Sequence, residues 1–142
     1  MCTYCGCEQL PAIAHLAHEH DEIERLASDL AATVEAGRSQ QASALLANLV
    51  RAFEQHAAGE EAGLFEQLRQ AGEGLAELDR LVGEHRAFRE QLTDQCLLDD
   101  SARTQRVLRE LCEHADVEDT DLFPFAQQVL PDWRWEQLGT ER

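Results

Sequence analysis

The chain has 142 residues, enough for one domain with a real core, and its composition of 44% hydrophobic but only 6% aromatic residues favours helices over sheets. Its formal net charge of -16 excludes nucleic acid and anionic membrane surfaces as natural partners. No apolar run approaches the ~20 residues of a membrane-spanning helix, and the N-terminal residues lack a signal-peptide pattern, so the expectation is a cytoplasmic protein whose five cysteines stay mostly reduced.

Cys2, Cys5 and Cys7 form a Cys-x-x-Cys-x-Cys head before any helical pattern begins. Pro11 suits the first turn of a helix, and Ile13, Leu16, Ile23, Leu30 and Val34 then carry helix A to a stop near Gly37-Arg38-Ser39. Helix B is predicted from about Gln40 to Arg69, with Leu45, Leu49, Phe53, Leu64 and Leu68 on its apolar side. Gln70–Gly74 is a breaker. Helix C follows through Leu78, Leu81, Val82, Phe88 and Leu92. Asp99-Asp100-Ser101 offers a turn and an N-cap for helix D, which carries Val107, Leu108, Leu111, Leu122 and Phe125. Pro124 should kink or shorten that helix. Beyond Pro131, Trp133-Arg134-Trp135 is expected to form a short turn over the bundle end. The domain reading is a Cys-rich segment over 1–10, a helical bundle over 11–131 and a tail over 132–142.

One pattern occurs twice. His56 is followed four residues later by Glu60 and then by Leu64-Phe65; His114 is followed by Glu118 and then by Leu122-Phe123. Residues four apart lie about 40° from each other around a helix, so each His/Glu pair points one way. Neutral imidazoles beside carboxylates suit a borderline metal ion such as iron or zinc. Helices A and C each add a histidine, as Glu19-His20 and Glu84-His85, so the chain reads as two similar helical hairpins.

Spacing tests whether the four histidines can meet. In an up-down-up-down bundle, ligands at one height are equidistant from the turn joining their helices. The midpoint between His20 and His56 falls within Gly37-Arg38-Ser39, that between His56 and His85 within Gln70–Gly74, and that between His85 and His114 on Asp99-Asp100. At about 100° per residue, His20 lies on the buried face of helix A, while His15 and His18 point away. Glu61 and Asp119 fall about 140° from His56 and His114 by the same count, which leaves Glu60 and Glu118 as the inward carboxylates. The predicted fold is an all-α, up-down-up-down four-helix bundle with a metal site in its core.

These motifs together resemble the hemerythrin-like (HHE cation-binding) domain, over roughly residues 10–130. The resemblance implies a non-haem diiron centre bridged by two carboxylates. Its ligands would be His20, His56, Glu60, His85, His114 and Glu118, with Glu60 and Glu118 as the bridges. Oxygen-carrying hemerythrins have a second histidine on helix C, four residues from the first. Leu81 and Arg89 stand at those positions here, so the four-histidine, two-glutamate set is closer to iron-centre repair proteins and other bacterial hemerythrin-like domains. That difference favours redox chemistry with oxygen, peroxide or nitric oxide over simple oxygen storage. Three function classes remain: a module that binds or senses oxygen or related small molecules, a diiron enzyme for peroxide or nitric oxide removal or iron-centre repair, and a structural or storage protein for zinc or iron.

Two further expectations concern other residues. Glu24 and Arg89 each follow a histidine by four residues, so they should form an inward ion pair behind the centre; the alternatives are that Glu24 is itself a metal ligand, with Arg89 tuning the open position, or that both long side chains snorkel outward to solvent. The cysteine head is either a frayed thiol-rich terminus or a separate zinc or redox site, in which Cys2, Cys5 and Cys7 take a fourth ligand from His15 or His18. Cys96 and Cys112 are expected as small buried or half-buried hydrophobes.

Overall fold

The computed structural model describes residues 10–140, with Thr140 as backbone only. Cys2, Cys5 and Cys7 lie outside the described residues. Helix α1 spans Pro11–Glu35 and begins on proline, whose missing N–H would be unpaired there in any case. Helix α2 starts as Ser39–Glu60, passes through a π-helical turn at Glu61–Phe65 and resumes as Glu66–Gln70. Helix α3 is Leu75–Leu92. Helix α4 repeats the design of α2, with Ser101–Val117, a π-helical turn at Glu118–Leu122, and Phe123–Val129. Helix α5 is Asp132–Thr140. No strand occurs among the described residues, and no helix among them is long and apolar enough to cross a membrane.

Local chemistry ends α1 and α2, and starts α4, where the sequence predicts. Gly37 and Gly72 take positive φ, +72° and +71°, after α1 and α2. The reversal lets the N–H of Arg38 reach the carbonyl of Thr33, and that of Glu73 the carbonyl of Leu68. Asp100 caps α4 by accepting from the N–H of Arg103 at 3.0 Å.

Four expectations need correction. Pro124 does not shorten its helix, which runs on to Val129. The tail is a helix, not a turn: Trp135 and Leu138, three residues apart, bury into the bundle end, while Trp133 stays 55% exposed. The α3–α4 connection is longer than Asp99-Asp100. It occupies 93–100 and includes a 3-10 turn at Leu97–Asp99, with Leu97 fully buried and its carbonyl accepting from Thr104 Oγ1. Cys96 sits in this connection and is exposed, contrary to expectation; Cys112 is half-buried.

Helix α1 packs on α2 and α4, and α3 packs on the same two, so α1 and α3 are diagonal in the bundle. The core divides into two apolar clusters. One holds Ile13, Leu16, Phe65, Leu78 and Phe123 with the buried residues of α5. The other holds Ile23, Leu30, Leu49, Phe53 and Leu108. Between them lies a polar layer, made of the buried residues His20, His56, Glu60, His85, His114 and Glu118.

Candidate metal centre

Burying six ionisable side chains in one layer is costly unless each finds a partner. The four imidazoles solve this in the same way. Each directs Nδ1 outward to a carboxylate on a neighbouring helix: His20 to Asp119 (2.8 Å), His56 to Glu19 (2.8 Å), His85 to Glu61 (2.7 Å) and His114 to Glu84 (2.6 Å). An Nδ1–H donating to a carboxylate fixes ring orientation and, in a neutral ring, leaves the Nε2 lone pair facing inward. The repeat is exact in residue order. The acid one residue before the α1 or α3 histidine serves α2 or α4; the acid one residue after Glu60 or Glu118 serves α3 or α1.

The inward atoms form two groups that share their carboxylates. His20, His56, Glu60 and Glu118 offer ligand atoms within 4.8 Å of one another, and so do Glu60, His85, His114 and Glu118. His20 Nε2 meets Glu118 Oε1 at 2.8 Å and His56 Nε2 at 3.0 Å. On the other side, His85 Nε2 stands 3.3 Å from Glu60 Oε1, and His114 Nε2 stands 3.2 Å from Glu118 Oε2, neither with hydrogen-bonding geometry. Both oxygens of Glu60, Oε2 of Glu118, and Nε2 of His85 and of His114 are buried without a hydrogen-bond partner. Native interiors rarely leave five such atoms unpaired. All five belong to the two groups, so the layer fits cations rather than mutual hydrogen bonds. Imidazole and carboxylate together suit iron, manganese or zinc.

The electrostatics agree. Burial, then the neighbouring Glu118, pushes the Glu60 carboxyl well above its usual range. Glu118 is held well below it: burial opposes this, but His114, His20 and His56 surround the charge and prevail. Burial also opposes charge on His20, yet its bonds to Asp119 and Glu118 outweigh that and raise it to about 9. His85 is lowered, chiefly by burial.

Aromatic rings complete the frame. Phe123 stacks on His20 with centroids 5.6 Å apart, and Phe65 stacks on His85 at 5.8 Å. Each phenylalanine closes a Leu-Phe pair carried by a π-helical turn or the residue after it. Proline is not the common cause, since Glu61–Phe65 contains none. What the turns share is their position directly after the His-x-x-x-Glu motifs. Such single turns are frequent at functional sites.

The structure thus brings together His20, His56, Glu60, His85, His114 and Glu118. It does not form the expected Glu24–Arg89 pair. Arg89 Nε donates to Glu54 of α2 at 2.6 Å at the bundle surface. Glu24 is raised, first by burial and then by Asp116 of α4, which shares a hydrogen bond with it. The reason is diagonal placement: side chains 40° off the histidine line of α1 and α3 meet the adjacent helices before they meet each other. Neither Glu24 nor Arg89 belongs to either ligand group. His15 is exposed and pairs with Glu19 at 3.0 Å, outside the core; His18 is also exposed. Glu19, Glu61, Glu84 and Asp119 are what the sequence reading missed. Their signal was present, since all four are acids directly beside a proposed ligand in both repeats. The face count placed Glu61 and Asp119 away from their own helix's histidine, correctly, but that face meets the next helix.

A comparison with protein families matches residues 12–126 to the hemerythrin HHE cation-binding domain. The chain belongs to this family. The matched span runs from the second residue of α1 to the last segment of α4, so it contains every residue of the polar layer and all four carboxylates behind it. Comparisons with curated proteins and with solved structures find no match. Membership of a cation-binding family and the two His/Glu groups together make this an HHE domain with a candidate metal centre in its core.

Proposed function

We propose that the chain holds a non-haem diiron centre and binds or senses oxygen or a related small molecule such as nitric oxide or peroxide. The observation that carries this reading is the pair of ligand groups sharing Glu60 and Glu118, with five of their buried polar atoms unpaired. His20 and His56 would hold one ion, His85 and His114 the other, and the two carboxylates would bridge them. Iron at such a site supplies a reversible change of oxidation state and open coordination positions for a small ligand.

The chain's own residues supply the rest. The four outer carboxylates hold each imidazole in one orientation, so no rearrangement is needed when charge at the centre changes. The two apolar clusters exclude bulk water from both ends of the layer. Leu81 is fully buried and Arg89 is paired to Glu54, so neither adds a fifth nitrogen. Two histidines per ion leave more positions free than a nitrogen-saturated pair would. That openness also supports the second reading, an enzyme that consumes peroxide or nitric oxide. A zinc or inert storage site has no such need of open positions.

Metal analysis combined with spectroscopy tests the proposal. Protein loaded with iron is expected to contain two ions per chain and, when oxidised, near-ultraviolet charge-transfer bands that shift on exposure of the reduced form to oxygen, peroxide or nitric oxide. A stable adduct supports binding or sensing, whereas catalytic consumption supports the enzyme. Failure to take up iron, with zinc bound in its place and no response to any of the three, overturns both.

A further inference from the structure

The two halves of the centre match at the ligands and differ outside them. In the repeat, α1 corresponds to α3 and α2 to α4, so His56 corresponds to His114 and Ile23 to Phe88. His56 is 2% exposed and Ile23 2%, whereas His114 is 6% exposed and Phe88 8%. Helices α1 and α2 are the most closely packed pair of the bundle; α3 and α4 approach each other at fewer points. Between α3 and α4 lies a groove of about 390 Å³ whose lining includes two buried side chains, Phe88 and His114. The His114 ring carries a buried, unpaired Nε2 directed at the centre.

The groove's walls also differ from their counterparts. Ala87 and Val117 flank it, with Glu110, Glu113 and the Arg80–Glu84 pair around it. At the corresponding positions between α1 and α2 the chain has Glu22 and Gly59, with Ala52 and Gln55 in place of the two glutamates. On α2 the residues Gly59 and Ala52 are smaller than their α4 counterparts Val117 and Glu110, and the size of the side chains at a contact sets how closely two helices approach. Arg80 is the only cation of the rim, against three carboxylates.

The geometry points to the α3–α4 groove as the entrance through which metal ions and small ligands reach the centre on its His114 side, with Ala87 and Val117 setting its width and the Glu110/Glu113 rim favouring cations. This rests on the proposed metal centre. Among the six ligands, His114 is the one whose side chain borders the groove, and its orienting carboxylate, Glu84, lines the same wall.

Cobalt(II) uptake by the metal-free 142-residue chain, followed by stopped-flow absorbance, separates the two claims. The amount bound at equilibrium tests the centre; the rate tests the route. Ala87→Trp, at an exposed rim position, is expected to slow uptake at least tenfold with two ions still bound. Val117→Ala is expected to accelerate it several-fold, which keeps the test informative should the tryptophan variant fold poorly. Glu22→Trp, the counterpart on the closed side, is expected to change the rate less than twofold. Replacing Glu110 and Glu113 by glutamine is expected to slow uptake at low salt, with the difference vanishing near 1 M salt as the rim charge is screened. Unchanged rates in both Ala87→Trp and Val117→Ala, or equal slowing by Glu22→Trp, would overturn the route while leaving the centre intact. Absence of bound cobalt would overturn the centre, and the entrance with it.

Discussion

Each histidine of the layer gives Nδ1 to a carboxylate and turns Nε2 inward, and what each Nε2 meets there governs how the metal-free chain responds to pH. His20 donates from Nδ1 to Asp119 and from Nε2 to Glu118, which is the pattern of an imidazolium, in line with its rise to about 9. A histidine raised in the fold contributes stability in full below its unfolded value near 6.5, and that contribution is lost as pH rises through about 9. For a group this buried the contribution is on the order of 3 kcal/mol. His114 is raised too, since burial opposes its charge but the contacts with Glu118 and Glu84 outweigh that, and burial raises Glu60. Both add to the same loss as pH rises, whereas Glu118 and His85 are displaced downward and complete their changes at lower pH. The melting temperature of metal-free protein is therefore expected to fall between pH 7 and 9, while the loaded form, in which an ion replaces the proton, varies less. Asp119→Asn should lessen this slope, with His114 and Glu60 supplying what remains; a profile of unchanged slope in that variant would remove His20 as a source. The outer carboxylates yield a second prediction. Glu61→Ala leaves His85 Nδ1 without its acceptor, and losing such an outer partner typically costs about 10–100-fold in metal affinity. Competition with a chelator measures this, and an affinity equal to wild type would show that Glu61 does not orient the ligand.

At the scale of elements, the two hairpins were legible because hydrophobic spacing and punctuation agreed. Pro11, Gly37, Gly72 and Asp100 start, stop or cap helices for local reasons that sequence displays. The π-helical turns were not legible, because no residue type demands them; they are imposed by seating Phe65 on His85 and Phe123 on His20 while Glu60 and Glu118 face inward. The α3–α4 connection was misplaced because Leu97 and the half-exposed Leu98 are apolar residues outside any α-helix, in a 3-10 turn whose Leu97 carbonyl accepts from Thr104. A deletion and an insertion test the register of the turn. Four α-helical residues sweep about 400° and the five residues of this wider turn little more, so removing the exposed Ala62 should close the turn to α-helix with Leu64, Phe65 and Leu68 still facing the core. Inserting a further residue beside Ala62 instead rotates everything after it by about 100° and takes all three out of the core. Losing a single buried phenylalanine costs about 3–5 kcal/mol, so the insertion variant is expected to lose cooperative thermal unfolding and the deletion variant to keep it. An insertion variant with native melting behaviour would mean that the register of the turn is incidental.

Across the whole molecule, the bundle is two apolar clusters with a charged layer between them, and this division separates folding from metal binding. The clusters do not depend on the layer for their contacts, so metal removal is expected to lower the melting temperature without abolishing helical circular dichroism. Saturating a site at a hundred times its dissociation constant adds about 2.7 kcal/mol, which is a shift rather than a rescue. Within the layer the ligands are unequal. His20 and His56 belong to one group and His85 and His114 to the other, but Glu60 and Glu118 belong to both. At the proposed two-ion centre, removing a histidine would take one nitrogen from one ion, whereas removing either glutamate would take an oxygen from both and delete one of the two anions that offset the ions' mutual repulsion. His85→Ala is therefore expected to weaken one ion and leave the other, whereas Glu60→Ala and Glu118→Ala should each leave fewer than two ions per chain and lose the charge-transfer bands of a bridged ferric pair. Metal content by plasma emission together with absorbance of the oxidised protein makes the comparison. Two irons and an unaltered spectrum in Glu60→Ala would show that the carboxylate does not bridge, and the shared-ligand arrangement would have to be abandoned.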